Sequence, residues 1–88
     1  MKEITLFHLQ HCPHCQRALQ YLDELRAENP AYAAVPVVMV EEQQQKALAD
    51  SYDYYFVPSF FIGSRKLFEG AAQKQDVRAV LDAALAEE

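Results

Sequence analysis

His11-Cys12-Pro13-His14-Cys15 joins two different patterns of the chain. Ahead of it, residues 3–9 carry apolar side chains on both alternating sets, Ile4 and Leu6 on one and Phe7 and Leu9 on the other, as a strand covered on both faces does. Behind it, Ala18, Leu22 and Leu25 recur at helical spacing with Leu19 on their flank, and Asn29-Pro30 ends the run. Pro13 suits a first helical turn, because its fixed φ is helical and its missing N–H has no intrahelical partner there. The stretch therefore reads as strand, a loop at Gln10 and His11, then a helix over 13–28 with a Cys-X-X-Cys pair at its start.

That placement predicts thiol–disulfide chemistry. A free thiol titrates near ~8.5, and a helix N-terminus or a neighbouring cation lowers this to roughly 3.5–7.5. Cys12 occupies the position that benefits, where unpaired backbone N–H groups and the positive end of the helix dipole meet its sulfur. Cys15, one turn further in, is expected to be more buried and less acidic, so Cys12 attacks and Cys15 resolves the mixed disulfide. His14 lies between them and can donate a hydrogen bond or positive charge to the Cys12 thiolate, which stabilises the reduced pair and makes the disulfide more oxidising. Two cysteines this close close no long loop, so they do not staple a small core.

A competing reading takes the same residues as half of a zinc or copper site, with His8, His11 and His14 supplying imidazoles. Pro13 and the helix turn set the directions of His11 and His14 through the backbone, and no second Cys-X-X-Cys exists. No metal ligand is therefore assigned. His8, at the end of a strand, reads as a satisfied structural histidine.

Further along, residues 35–40 (Val-Pro-Val-Val-Met-Val) read as a second strand, with Pro36 favouring a sheet edge. Strand, helix, strand implies a right-handed parallel crossover. Residues 41–52 read as a second helix with Ala47, Leu48 and Tyr52 as its buried side and Glu42 spaced to pair with Lys46. Residues 56–62 read as a third strand, and Gly63-Ser64 turns the chain into Arg65–Glu69, an antiparallel hairpin partner. From Gln73 onward Val77, Val80, Leu81, Ala84 and Leu85 fit one face of a final helix. Tyr52, Tyr54, Tyr55 and Phe56 are expected to pack in the core and at its rim.

The 88 residues, of which 51% are hydrophobic, leave room for a single domain, 1–88, with one modest core. Eight basic residues against 13 acidic ones give a net charge of −5, and the basic residues are scattered, which excludes nucleic acid and anionic membranes as partners on electrostatic grounds. No stretch approaches the roughly 20 apolar residues of a membrane span, and residues 1–3 lead into a strand without a signal-peptide apolar region. A cytoplasmic monomer is expected.

Cys12-Pro13-His14-Cys15 after the first strand, Val57-Pro58 before the third and Gly70 before the final helix together resemble the glutaredoxin-like short form of the thioredoxin fold, across essentially the whole chain. The resemblance implies an α/β architecture, β-α-β-α-β-β-α, with a four-stranded mixed sheet and helices on both faces. It implies that Pro58 is a cis proline packed against the cysteine pair and that Pro13, Val57, Pro58 and Gly70 line the substrate groove, the Val57 backbone pairing with an extended substrate. The Cys-Pro-His-Cys tetrapeptide is similar to that of periplasmic disulfide oxidases, which points to a pair more oxidising than a typical thioredoxin. The implied partners are disulfide-containing proteins and an electron source, either glutathione as co-substrate or a flavoprotein reductase; no bound cofactor is required. Glutathione-using members hold its carboxylates with a basic residue three before the first cysteine, a threonine before Val-Pro and a Gly-Gly-acidic turn. Here those places hold Leu9, Phe56 and Glu69-Gly70-Ala71-Ala72, so Glu69 is expected to set negative charge against an anionic tripeptide.

Overall fold

The computed structural model describes residues 1–87. The first strand, β1 (Ile4–His8), leads into α1 (Pro13–Glu28), a single-turn α2 (Pro30–Ala33), β2 (Val37–Glu41), a short α3 (Lys46–Asp50), the hairpin β3 (Ser59–Ile62) and β4 (Arg65–Glu69), and α4 (Lys74–Ala86). The strands form one sheet in the order β2-β1-β3-β4. β1 and β2 are parallel, with Ile4 opposite Val37 and His8 opposite Glu41, as the crossover requires. β3 runs antiparallel to both neighbours, Phe7 facing Ser59 across one seam and Ser59 facing Glu69 across the other. Gly63, at φ 59, takes the first position of the two-residue turn between Ile62 and Arg65, a backbone region that costs an L side chain energy.

Strand alternation divides the core in two. Ile4, Leu6, Phe60 and Ile62 face α1 and α4, where Ala18, Leu22, Leu25, Val77, Val80, Leu81 and Ala84 are buried against them. Phe7, Val40 and Phe61 face the other way and meet Ala49 of α3, with Tyr52, Tyr54 and Val57 closing over them. The Phe7 ring lies 4.7 Å from Tyr52, 4.8 Å from Tyr54 and 5.6 Å from Phe61, centroid to centroid. Helices thus cover both faces of a mixed sheet, the α/β architecture expected, with one extra turn. Among the described residues no helix is long and apolar enough to cross a membrane.

One helical turn is added and the bounds of β2, α3 and β3 move from their expected places, β2 running Val37–Glu41 rather than over 35–40. Asn29 ends α1 and its side chain then accepts the Ala31 N–H, so Asn29-Pro30 starts the second turn α2 as well as ending the first helix. The helix expected over 41–52 shrinks to five residues because the Glu41 carboxylate takes the N–H groups of Gln43 (2.6 Å) and Gln44 (3.3 Å) and bends the chain into turns first. Its buried contact is Ala49, whereas Ala47 and Leu48 are exposed, and Lys46 pairs with Asp50 instead of Glu42. The third strand starts at Ser59 rather than at residue 56.

Candidate active site

One end of the sheet gathers the chain segments that carry the chemistry. Because β1, β2 and β4 run one way and β3 the other, the carboxyl ends of three strands and the amino end of β3 lie together. The loop that leaves β1 toward Cys12 and the segment that enters β3 through Pro58 therefore emerge side by side, from the strands joined by the Phe7–Ser59 pair.

Cys12 is the N-cap of α1, with Pro13 as the first helical residue. Its sulfur accepts the Cys15 N–H at 3.3 Å, and its carbonyl accepts the Gln16 N–H at 2.9 Å. A cysteine here does what serine or aspartate does at many helix starts, its side chain taking a backbone N–H of the first turn. Cys12 is half-buried and Cys15 is 1% exposed; both are free thiols. Burial, reinforced by the neighbouring Cys12 sulfur, pushes the Cys15 thiol up to about 12. Cys15 is thus a protonated thiol at neutral pH. In a trapped mixed disulfide on Cys12, resolution should accelerate as pH rises from 7 to 10, since Cys15 must lose its proton before it attacks; stopped-flow release of the second substrate thiol measures it, and a pH-independent rate contradicts it.

The loop between β1 and α1 is tight. His11 adopts φ 66, a left-handed conformation uncommon for a residue with a side chain, though histidine tolerates it better than most. Its neighbour Gln10 donates its N–H to the buried Glu41 carboxylate at 3.1 Å, the same carboxylate that holds Gln43 and Gln44. These backbone donors hold the Glu41 carboxyl below the usual carboxylate range. Glu41 at the end of β2 thereby ties down the approach to Cys12. Faster amide hydrogen exchange at Gln10 in Glu41→Ala, with the α4 amides unchanged, is the expected signature.

A second carboxylate does the same on the opposite side. Glu69, closing β4, accepts the N–H groups of Tyr55 (2.5 Å) and Phe56 (2.8 Å) and pairs with Lys66 at 2.7 Å. The negative charge expected to face substrate is instead absorbed by these three partners. They hold the Glu69 carboxyl at about 2, Lys66 contributing most. Its ionised form is favoured by folding, so the stability it lends is complete above its ordinary value of 4.5 and is lost as pH falls toward about 2. Acid titration of unfolding should show a shallower loss over that window in Glu69→Gln; identical acid limbs refute the assignment. Beyond Phe56 the Val57–Pro58 peptide bond is cis, Pro58 is buried, and its carbonyl accepts the Gly70 N–H at 2.8 Å. Gly70 itself sits at φ 95.

The aromatic run divides. Tyr52 and Tyr54 pack on Phe7 as expected, but Tyr55 and Phe56 are 83% and 68% exposed, because the Glu69 contacts turn this segment outward at its backbone. His14 and His11 are exposed and His8 is half-buried opposite Glu41. Among the described residues no hydrogen bond joins the His14 ring to Cys12, and no group of three or more His, Cys, Asp and Glu residues could hold a metal ion, so the imidazoles do not gather around the thiols.

The glutaredoxin family profile matches residues 4–67, from the first strand through both cysteines and the cis proline to the fourth strand. The chain belongs to the glutaredoxin family. A relative named thioredoxin from Methanocaldococcus jannaschii is 34% identical over 73 residues, covering 83% of this chain and 84% of that protein. Among solved structures, a mutant thioredoxin from Halobacterium salinarum superposes with a TM-score of 0.68 at 17% identity, over 94% of this chain and 74% of the other. The holo form of glutaredoxin C1 from Populus tremula x tremuloides gives 0.55 at 23% identity, over 92% and 84%. The structural likenesses establish the thioredoxin fold; family membership, with two close cysteines at a helix start, points to thiol–disulfide oxidoreduction. Within this glutaredoxin-family site, the sequence left Glu41 unassigned and pointed Glu69 at substrate, so neither was read as a holder of backbone N–H groups. The one signal available was an acidic residue closing each of two strands at the same end of the sheet.

Proposed function

We propose that this chain is a thiol–disulfide oxidoreductase in which Cys12 is the nucleophile, Cys15 the resolving thiol and His14 a modulator. The observation that carries the reading is the asymmetry of the pair: a half-buried sulfur at the helix start, accepting the Cys15 N–H, beside a thiol that is 1% exposed and protonated. The Cys12 thiolate attacks one sulfur of a substrate disulfide, forming a mixed disulfide and releasing the first half as a thiolate. Cys15 then gives up its proton and attacks the Cys12 sulfur, expelling the second half and leaving a Cys12–Cys15 disulfide. Two electrons have passed to the substrate, and an external dithiol or thiol restores the pair.

Disulfide-containing proteins are the substrate class, with the Val57 backbone and the groove bounded by Pro13, Pro58 and Gly70 receiving an extended segment. A reducing compartment such as the cytoplasm suits a catalyst kept as free thiols. The missing basic and threonine positions at Leu9 and Phe56 favour a flavoprotein reductase over glutathione as electron source. A redox titration should place the pair above about −270 mV, the thioredoxin value, and His14→Ala should lower it by about 30 mV, one tenfold step in the equilibrium constant. Insulin reduction measured with glutathione and then with thioredoxin reductase tests the reading: turnover with either supports the activity and identifies the reductant, while turnover with neither overturns it.

A further inference from the structure

The sheet has two free edges, and they are built differently. β4 carries Arg65 and Lys66, both exposed, and its register with β3 is broken by a bulge between Phe60 and Phe61. Charges and bulges are the usual means by which an edge strand is kept from pairing with another chain. β2 has neither. Residues 35–40 contain no charged side chain, and Val38 and Met39 are each 43% exposed.

The backbone bonds show what this edge offers. Ile4 N–H donates to the Pro36 carbonyl at 2.9 Å and Glu42 N–H to the His8 carbonyl at 3.0 Å. Strand alternation then turns the backbone groups of Pro36, Val38 and Val40 toward β1 and those of Val37, Met39 and Glu41 away from it. The N–H that Pro36 lacks is one that would face β1, so the proline does not guard the outer edge. Among the described residues the N–H and carbonyl groups of Val37 and Met39 have no backbone partner. The Glu41 carbonyl is already occupied by Gln44 and Gln45, leaving its N–H outward.

We propose that β2 pairs with β2 of a second copy of this chain, antiparallel about a two-fold axis at Met39, joining two sheets into one of eight strands. The outward groups complement themselves about that axis. Met39 N–H reaches the Met39 carbonyl of the other copy in both directions, and each Glu41 N–H reaches the opposite Val37 carbonyl, which makes four bonds without disturbing the Gln44 and Gln45 contacts. Met39 then faces its own equivalent and Val38 faces Val40, so apolar area that is exposed in one chain becomes covered and no like charges stand opposite one another. The antiparallel seam sends the two Cys12 sulfurs to opposite ends, leaving both accessible. A single strand edge buries little area, so the dimer is weak and reversible. A net charge of −5 on each chain opposes it, and salt relieves that repulsion. This sets a reversible dimer against the monomer expected from sequence.

Sedimentation equilibrium from about 10 µM to about 1 mM, at low salt and at about 0.5 M salt, reads the association directly. The expected result is a mass that rises toward two chains with concentration and rises further with salt, together with slowed exchange of the Met39 amide. Met39→Lys and Met39→Glu, at an exposed side chain that leaves the fold intact, should each weaken association at least tenfold, because like charges then meet on the axis. Mixing the two variants should restore it, lysine facing glutamate. A wild-type chain that stays monomeric throughout, association undiminished in both variants, or a mixture that fails to re-pair overturns the proposal.

Discussion

Cys12→Ser should lose disulfide exchange by about three orders of magnitude or more, because the hydroxyl cannot replace a thiolate as nucleophile and the other cysteine, Cys15, is buried. Cys15 cannot substitute, being 1% exposed and held protonated by burial. Cys15→Ser should behave differently: the first attack survives, the second half of the substrate is never expelled, and the mixed disulfide accumulates as a covalent adduct visible by mass spectrometry. The double variant should match Cys12→Ser, since resolution has no meaning without capture. Equal activities in wild type and both single variants would remove the redox reading altogether.

The largest effect on stability is expected at Phe7. Its ring is fully buried and touches Tyr52, Tyr54 and Phe61, so truncation to alanine leaves the second core without its centre. Phe7→Ala should cost about 3–5 kcal/mol, against a total of only about 4–13 kcal/mol for a chain of this length at ~0.05–0.15 kcal/mol per residue. The same substitution at Phe56, which is 68% exposed, should change stability by less than about 0.5 kcal/mol. Urea unfolding of the two variants provides the comparison, and equal midpoints would show that the aromatic ring stack is not what holds α3 and the 52–57 segment to the sheet.

Phe7 and Phe56 also show where sequence reading succeeds and stops. The bounds of α1 and β4 were legible because each is closed by strong local chemistry, Pro13 and Asn29-Pro30 in one case and the Gly63 turn in the other. The edge placement of β2 followed from Pro36, and the place of Cys12 at the start of α1 from its preceding Pro13. What failed was the treatment of apolar runs as sheet or core. Phe56-Val57-Pro58 has the composition of a strand, yet Phe56 is exposed because the Glu69 carboxylate, 13 residues later, takes its N–H. The helix read over 41–52 was likewise cut short by the side chain of Glu41 bonding to backbone it precedes. Both carboxylates act on main-chain donors through tertiary geometry, and neither residue type nor periodicity announces such a bond. Tyr32 donating to Asp82 at 2.7 Å across 50 positions is a third case.

The bond from Lys2 N–H to the Ala84 carbonyl, 3.0 Å long, brings the first and last turns of the described chain together at the pole away from the sulfurs. The Gly63-Ser64 hairpin tip lies at that same pole, since β3 runs away from Pro58. A short flexible linker could therefore close the backbone into a ring, and the ring could be reopened at Gly63-Ser64 without disturbing any strand pair near Cys12. Cargo attached ahead of Lys2 should similarly project from the pole opposite Cys12.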